Sequence, residues 1–240
     1  MKQVCTWHFI ISFIFTLNLV RAQSANDSLI NIKDNTPLTL RLGVDLSQPF
    51  ISLFNKDFSG IELVGDIRIN ETMYISAEVG NQQKTQQSEL TNFTTKGTYL
   101  KIGGDLNMYK NWTGMNNQVY IGFRISSSFF NQNVNNYNLY TTYPYWGNNL
   151  VSDGDAIGER NNLNAQWLEF LAGIKVQVLK NTYMGFSLRL NRLISNTQPE
   201  NFGNLYIPGF NNVTDENIFG YSYNYTLTYS IPFKFKKAED

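Results

Sequence analysis

Eight segments of the chain alternate apolar and polar residues with a period of two, a pattern that fits a β-strand with two chemically opposite faces. The last shows it most plainly. In YSYNYTLTYSIPF, Tyr221, Tyr223, Tyr225, Leu227, Tyr229, Ile231 and Phe233 share one face, while Ser, Asn, Thr and Pro fill the other. Before it come Leu38–Leu46, Ile61–Ile69, a run with Met73, Ile75, Ala77 and Val79, and a run with Thr98, Leu100, Ile102, Leu106 and Met108. Three more carry Val119, Ile121, Phe123 and Ile125; Leu168, Phe170, Ala172, Ile174, Val176 and Val178; and Met184, Phe186, Leu188 and Leu190. No segment repeats with the 3.6-residue helical period.

Connection lengths decide between the architectures open to such strands. Asn70–Thr72, Asn111–Asn117 and Lys180–Thr182 are short, whereas 47–60, 80–96, 128–164 and 193–217 are long. Strict alternation of long and short connections belongs to an up-and-down barrel of the outer-membrane type, with short periplasmic turns and long extracellular loops. An even strand number leaves both termini on one side, here the periplasmic one. A soluble β-sandwich would alternate too, its apolar face serving as core. Strands of about ten residues suit a tilted membrane span better. The expected fold is all-β: an eight-stranded antiparallel up-and-down transmembrane β-barrel over residues 37–240.

The polar faces carry the second argument for a barrel. They place Arg41, Asp45, Glu62, Asp66, Arg68, Glu78, Lys101, Asp105, Arg124, Glu169, Lys175 and Arg189 on the side opposite the apolar residues, six acids against six bases. One-to-one balance is what a narrow lumen demands, because an unpaired charge inside it is costly. Gly43, Gly103, Gly122, Gly173 and Gly185 on the same face leave room for large neighbours. Tyr109, Trp112, Trp167, Tyr183, Phe233 and Phe235 stand near strand ends and are read as aromatic girdles at the two interfaces.

The N-terminus bears on chemistry. Met1-Lys2, the apolar run Phe9–Val20 and then Arg21-Ala22-Gln23 read as a secretory signal peptide over 1–22, followed by a periplasmic lead-in over 23–36. The single Cys and single His, Cys5 and His8, leave with the signal. Disulfides, Cys or His metal sites and His-activated nucleophiles are thereby excluded. Loss of Lys2 and Arg21 takes the net charge from 0 to −2, a balance that suggests no nucleic-acid partner. No catalytic residue and no cofactor is assigned, and the chain is not read as an enzyme. Asp153, Asp155 and Glu159 in SDGDAIGE offer oxygen ligands for calcium, but their spacing departs from an EF-hand loop and a solvated turn is the better reading.

The third long loop is the most distinctive surface. Tyr137, Tyr140, Tyr143, Tyr145 and Trp146 sit there among Asn, Thr and Gly, a mixture suited to a binding loop for an extracellular ligand or surface partner. A loop folded over the barrel mouth would use the same residues. Phe202, Tyr206 and Phe210 in the fourth loop are read as a wall of that surface.

Over about 200 residues, the pattern resembles the small eight-stranded outer-membrane barrels of Gram-negative bacteria. The Asn- and Tyr-rich, Cys-free style is similar to a Bacteroidetes barrel family known as a domain of unknown function. Such barrels close on a terminal aromatic read by the outer-membrane assembly machinery, and Tyr229, Ile231, Phe233 and Phe235 match that alternation before KKAED. The resemblance implies the outer membrane, with its lipid as a partner, and a non-enzymatic envelope-structural or surface-binding role. Two other readings stand beside it: a small channel or carrier of apolar solutes, and a secreted soluble β-sandwich.

Overall fold

The computed structural model describes residues 38–88, 91–109, 117–138, 150–151, 156–199, 203–213 and 218–233. The expected signal peptide and lead-in lie outside them. In chain order the elements are β1 (Leu38–Asp45), α1 (Ser47–Phe54), β2 (Phe58–Arg68), β3 (Met73–Gln87), β4 (Thr91–Asn107) and β5 (Gln118–Asn138). After these come β6 (Leu150–Val151), β7 (Gly158–Leu179), β8 (Thr182–Asn196), β9 (Tyr206–Ile207), β10 (Asn211–Asn212) and β11 (Phe219–Phe233).

Eight long strands pair antiparallel in the order β1-β2-β3-β4-β5-β7-β8-β11. The ring closes because β1 pairs with both neighbours: Leu40 to Val44 against Leu63 to Ile67 of β2, and Leu38 to Asp45 against Thr226 to Phe233 of β11. Over the length of β1, closure removes the sheet edges, and alternate side chains point inward and outward along the strands. The short β6 adds to the end of β5, and β9 with β10 forms a separate two-stranded hairpin.

The outward face is apolar and bare. Leu42, Ile75, Ile102, Ile121, Ile174 and Leu188 are each roughly half exposed, as are Tyr223 and Tyr229. The inward face is polar and buried. This inverts the arrangement of a soluble sandwich, and only lipid can cover such a belt. The chain is a transmembrane β-barrel, and the aromatic face of β11 points to lipid.

Turn chemistry fixes one end of the ring. Asn70 Oδ1 accepts from the Thr72 and Met73 amides at 2.9 and 2.7 Å, closing the β2–β3 connection. Asn181 reverses β7 into β8 with φ 61°, a left-handed conformation that Asn tolerates.

At the opposite end three expectations change. Among the described residues, the connections expected over 80–96 and 128–164 are largely strand: β3 and β4 pair as far as Gln87↔Asn92, and β5 and β7 as far as Val134↔Gly158. Above the lipid belt water wets the outer face as well, so Asn, Gln and Thr replace the apolar residues and alternation disappears from the sequence while pairing continues. Second, residues 47–54 form a helix, too short to print a 3.6-residue period. Asp45 starts it by accepting the Ser47 amide at 2.9 Å and the Ser47 hydroxyl at 2.6 Å. Third, Trp167 and Tyr183 are not girdle residues. Both are buried inside the ring. They share parity with Glu169 and Gly185 rather than with Leu168 and Met184, so the pleat turns them inward. Tyr109 is exposed at the turn end, whereas Trp112 and Phe235 lie outside the described residues.

Candidate functional site

The bore is filled by a continuous set of charged side chains. Asp66 of β2 takes Arg41 of β1, its register neighbour, at 2.6 Å, and is reached across the bore by Lys175 of β7. Arg41 also donates to Gln118 Oε1 at 2.9 Å and lies over the Tyr74 and Tyr183 rings at 4.7 and 5.3 Å. One layer higher, Arg124 holds Asp105 with two bonds of 2.7 and 3.0 Å and Glu78 at 3.2 Å. Arg189 spans from β8 to Glu78 on β3 at 2.6 and 3.1 Å while donating to Glu169 at 3.0 Å. Lys101 sits among Glu169, Glu62 and Glu78 at 3.2, 3.5 and 3.9 Å.

Among the described residues, five bases (Arg41, Lys101, Arg124, Lys175, Arg189) and six acids (Asp45, Glu62, Asp66, Glu78, Asp105, Glu169) of the expected twelve are buried in the bore. Arg68 departs from the expectation. It stands at the turn end, where its guanidinium donates to the Asn70 carbonyl at 3.1 Å. The remaining acid, Asp45, is held by hydrogen bonds rather than by a cation: beyond Ser47 it accepts from Asn224 Nδ2 at 3.1 Å and the Tyr225 amide at 3.0 Å. Neutral donors thus satisfy a carboxylate that an ion-pair count leaves over.

Over this charged layer lies an aromatic plug. Ile207, Phe210 and Val213 turn down into the mouth and pack with Tyr99, Phe130, Leu163, Ala165 and Trp167. Phe210 meets Trp167 edge-on at 5.8 Å, and the Trp167 indole N–H donates to Glu169 at 2.7 Å, joining plug to charge layer. Tyr99 does the same on the other side by donating to Glu62 at 2.6 Å. Gly209, with φ 83°, lies flat on the Tyr99 ring, and a Cβ there would come within 2.6 Å of it.

Two glutamines tether the plug. Gln132 accepts from the Leu205 amide at 3.0 Å and donates to the Gly203 carbonyl at 3.2 Å. Gln82 Oε1 accepts both the Gly209 amide at 2.8 Å and the Tyr206 hydroxyl at 2.9 Å. Burial pushes the Tyr206 phenol above its ordinary range, which extends to higher pH the span over which it donates to Gln82. Gln82→Leu strands both donors, at about 1–3 kcal/mol each. The expected outcome is chymotrypsin cleavage after Tyr206 or Phe210 in a variant whose barrel still resists SDS.

The expected surface residues fall differently. Tyr206 and Phe210 are plug, not rim. Tyr137 is part of β5, in register with Thr91 and Val151, rather than in a loop. Tyr140, Tyr143, Tyr145 and Trp146 lie outside the described residues, as do Phe202, Asp153 and Asp155. Glu159 is an exposed residue of β7 in register with Asn133.

The sequence model of the family described as Domain of unknown function (DUF6048) matches residues 3–237. The chain belongs to the DUF6048 family. No curated protein matches this DUF6048 chain. Two solved structures are similar to it in fold: Ail, the attachment invasion locus protein of Yersinia pestis, and Neisserial surface protein A (NspA). Ail is 8% identical over 81% of this chain and 97% of its own, with a TM-score of 0.40. NspA is 12% identical over 82% of this chain and 95% of its own, with a TM-score of 0.36. The eight-strand ring of the DUF6048 chain is defined by its own strand pairing.

Proposed function

We propose that this protein is a non-enzymatic outer-membrane barrel of a Gram-negative envelope, with both termini periplasmic and a sealed bore. Its role is envelope-structural or surface-binding, exercised by the walls and loops that rise above the lipid belt. One observation carries the reading: the interior is occupied by charged side chains that pair across the bore, with Asp45 held by neutral donors, beneath an aromatic plug. Such a filling braces the wall from side to side, as expected for a ring of eight strands, whose interior is just wide enough for side chains to fill. Lipid around the belt and the machinery that inserts barrels are the partners this architecture requires.

Two measurements test the proposal. In SDS, the unboiled protein from the outer-membrane fraction is expected to migrate differently from the boiled protein, as closed lipid-facing barrels do. Recovery in the soluble periplasmic fraction would sink the membrane reading. In a planar bilayer the purified protein is expected to show no steady conductance, and a stable open level would replace the sealed barrel with a channel.

A further inference from the structure

The wall of the ring is incomplete above β1. That strand ends at Asp45, so β2 pairs with it only over Leu63 to Ile67 and β11 only from Thr226 onward. Beyond those points β2 (from Phe58) and β11 (from Phe219) continue upward with the intervening strand missing. Helix α1 fills the gap. Its Ser52 hydroxyl accepts the Gly60 amide of the β2 edge at 3.3 Å, and its C-terminal Asn55 carbonyl accepts the Phe58 amide at 3.2 Å.

The helix is apolar on the outside. Phe50, Leu53 and Phe54 are 62, 80 and 77% exposed, with the two Phe rings 4.9 Å apart. Tyr221, on the β11 edge, is 79% exposed. Behind the helix lies a half-open cavity of about 280 Å³, bounded by α1, both edges of the gap and the plug. Gln48, Glu62, Lys84, Tyr206 and Asn224 are among its lining residues.

Charge in this cavity is already settled. Asp45 is held by Ser47, Asn224 and Tyr225, Glu62 by Tyr99 and Asn224 (2.7 Å), Lys84 by Asn212 (2.9 Å), and Lys101 by Glu169. A ligand therefore need bring no charge. What the wall offers is a concentration of acceptors, including the side-chain carbonyl of Gln48. That oxygen is buried and has no hydrogen-bond partner. Aromatic rings and planar amides beside such acceptors suit the hydroxyls and C–H faces of a polyol. A site with an apolar apron outside and a polar chamber inside suits one molecule carrying both parts.

Resting on the membrane reading above, we infer that the gap between β2 and β11 is a lateral site for an uncharged amphiphile. Its polyhydroxylated head occupies the chamber behind α1, and its alkyl chain runs over Phe50, Leu53 and Phe54. The head's hydroxyls donate to the Gln48 side-chain carbonyl, the acceptor of this wall that has no partner. The chemistry could come from a glycolipid of the bilayer or from a free sugar; the missing wall and the apolar helix favour the lipid.

The test places the full protein in phosphatidylcholine nanodiscs and follows the Gln48 side-chain amide by NMR. Monoglucosyl diacylglycerol in the bilayer is expected to shift that signal saturably, diacylglycerol of the same chain length to leave it in place, and methyl β-glucoside in buffer to act far more weakly. Gln48→Leu is expected to weaken glycolipid binding about tenfold, the value of roughly one good hydrogen bond, read from the backbone amides of α1. Leu53→Asn, on the exposed face where folding is indifferent, should weaken the lipid and leave methyl glucoside unchanged. Equal response to diacylglycerol would show that the head group is not read and overturn the proposal. Equal response to methyl glucoside would make this a free-sugar site and overturn the lipid. Absence of any shift in a barrel that still shows the heat-dependent mobility change overturns the site alone, whereas loss of that change strikes the membrane reading beneath it.

Discussion

Arg189→Leu is expected to lower the unfolding free energy by about 3–5 kcal/mol, the usual cost of breaking a buried ion pair by removing one partner. Arg189 gives Glu78 its two shortest contacts among the described ion pairs of that residue and also supports Glu169. Without it, Glu78 retains Arg124 at 3.2 Å and Lys101 at 3.9 Å, and both carboxylates stay sealed from water. Urea titration of the barrel in detergent micelles, followed by loss of SDS resistance, reads the change. Adding Glu78→Gln should recover part of the loss, because the charge left unmatched is then gone; residues in one network do not behave additively. A loss below about 1 kcal/mol would mean that these groups behave as a solvated surface pair and that the bore is wet.

The second large effect is expected on the other face. Ile102 is half exposed near the middle of the belt, about five residues above the turn end of β4. On the surface of a water-soluble protein, Ile102→Lys would change stability by no more than about 0.5 kcal/mol. Facing the bilayer midplane, it should cost about 2–4 kcal/mol. Refolding into lipid vesicles, with urea titration, distinguishes the two. Asn81→Lys is the control: Asn81 also faces outward, on β3 in register with Thr98, but at the polar level above the belt, and it should be neutral. Equal tolerance at both positions would move the belt off the lipid.

Within the belt the strands were legible because two solvents meet there. Lipid on one side and a packed polar bore on the other force opposite chemistry onto alternate residues, so Leu100, Ile102 and Leu106 announce their face and Lys101 and Asp105 theirs. The inward position of Trp167 was legible too, by parity with Glu169, although a strand-end aromatic invites a girdle reading. Above the belt this signal fails. Gln82 and Gln132 look like residues of polar loops, yet both are strand residues whose side chains tether the plug. Nothing local marks them, since their partners Gly209 and Leu205 lie more than seventy residues away.

Period-two patterning is a property of consecutive residues, so the eight strands, their lipid-facing side and the nearly balanced charge of the opposite side could be read along the chain. Which charges meet could not. Arg41 and Asp66 are neighbours by register, but Arg189 reaches Glu78 across 111 positions of chain and Lys175 reaches Asp66 across 109. Those pairings, the plug that dips onto Tyr99 and Trp167, and the helix that fills the gap over β1 depend on closure of the ring. Closure sets side chains from opposite walls within hydrogen-bond distance, and no spacing along the chain encodes the width of the bore.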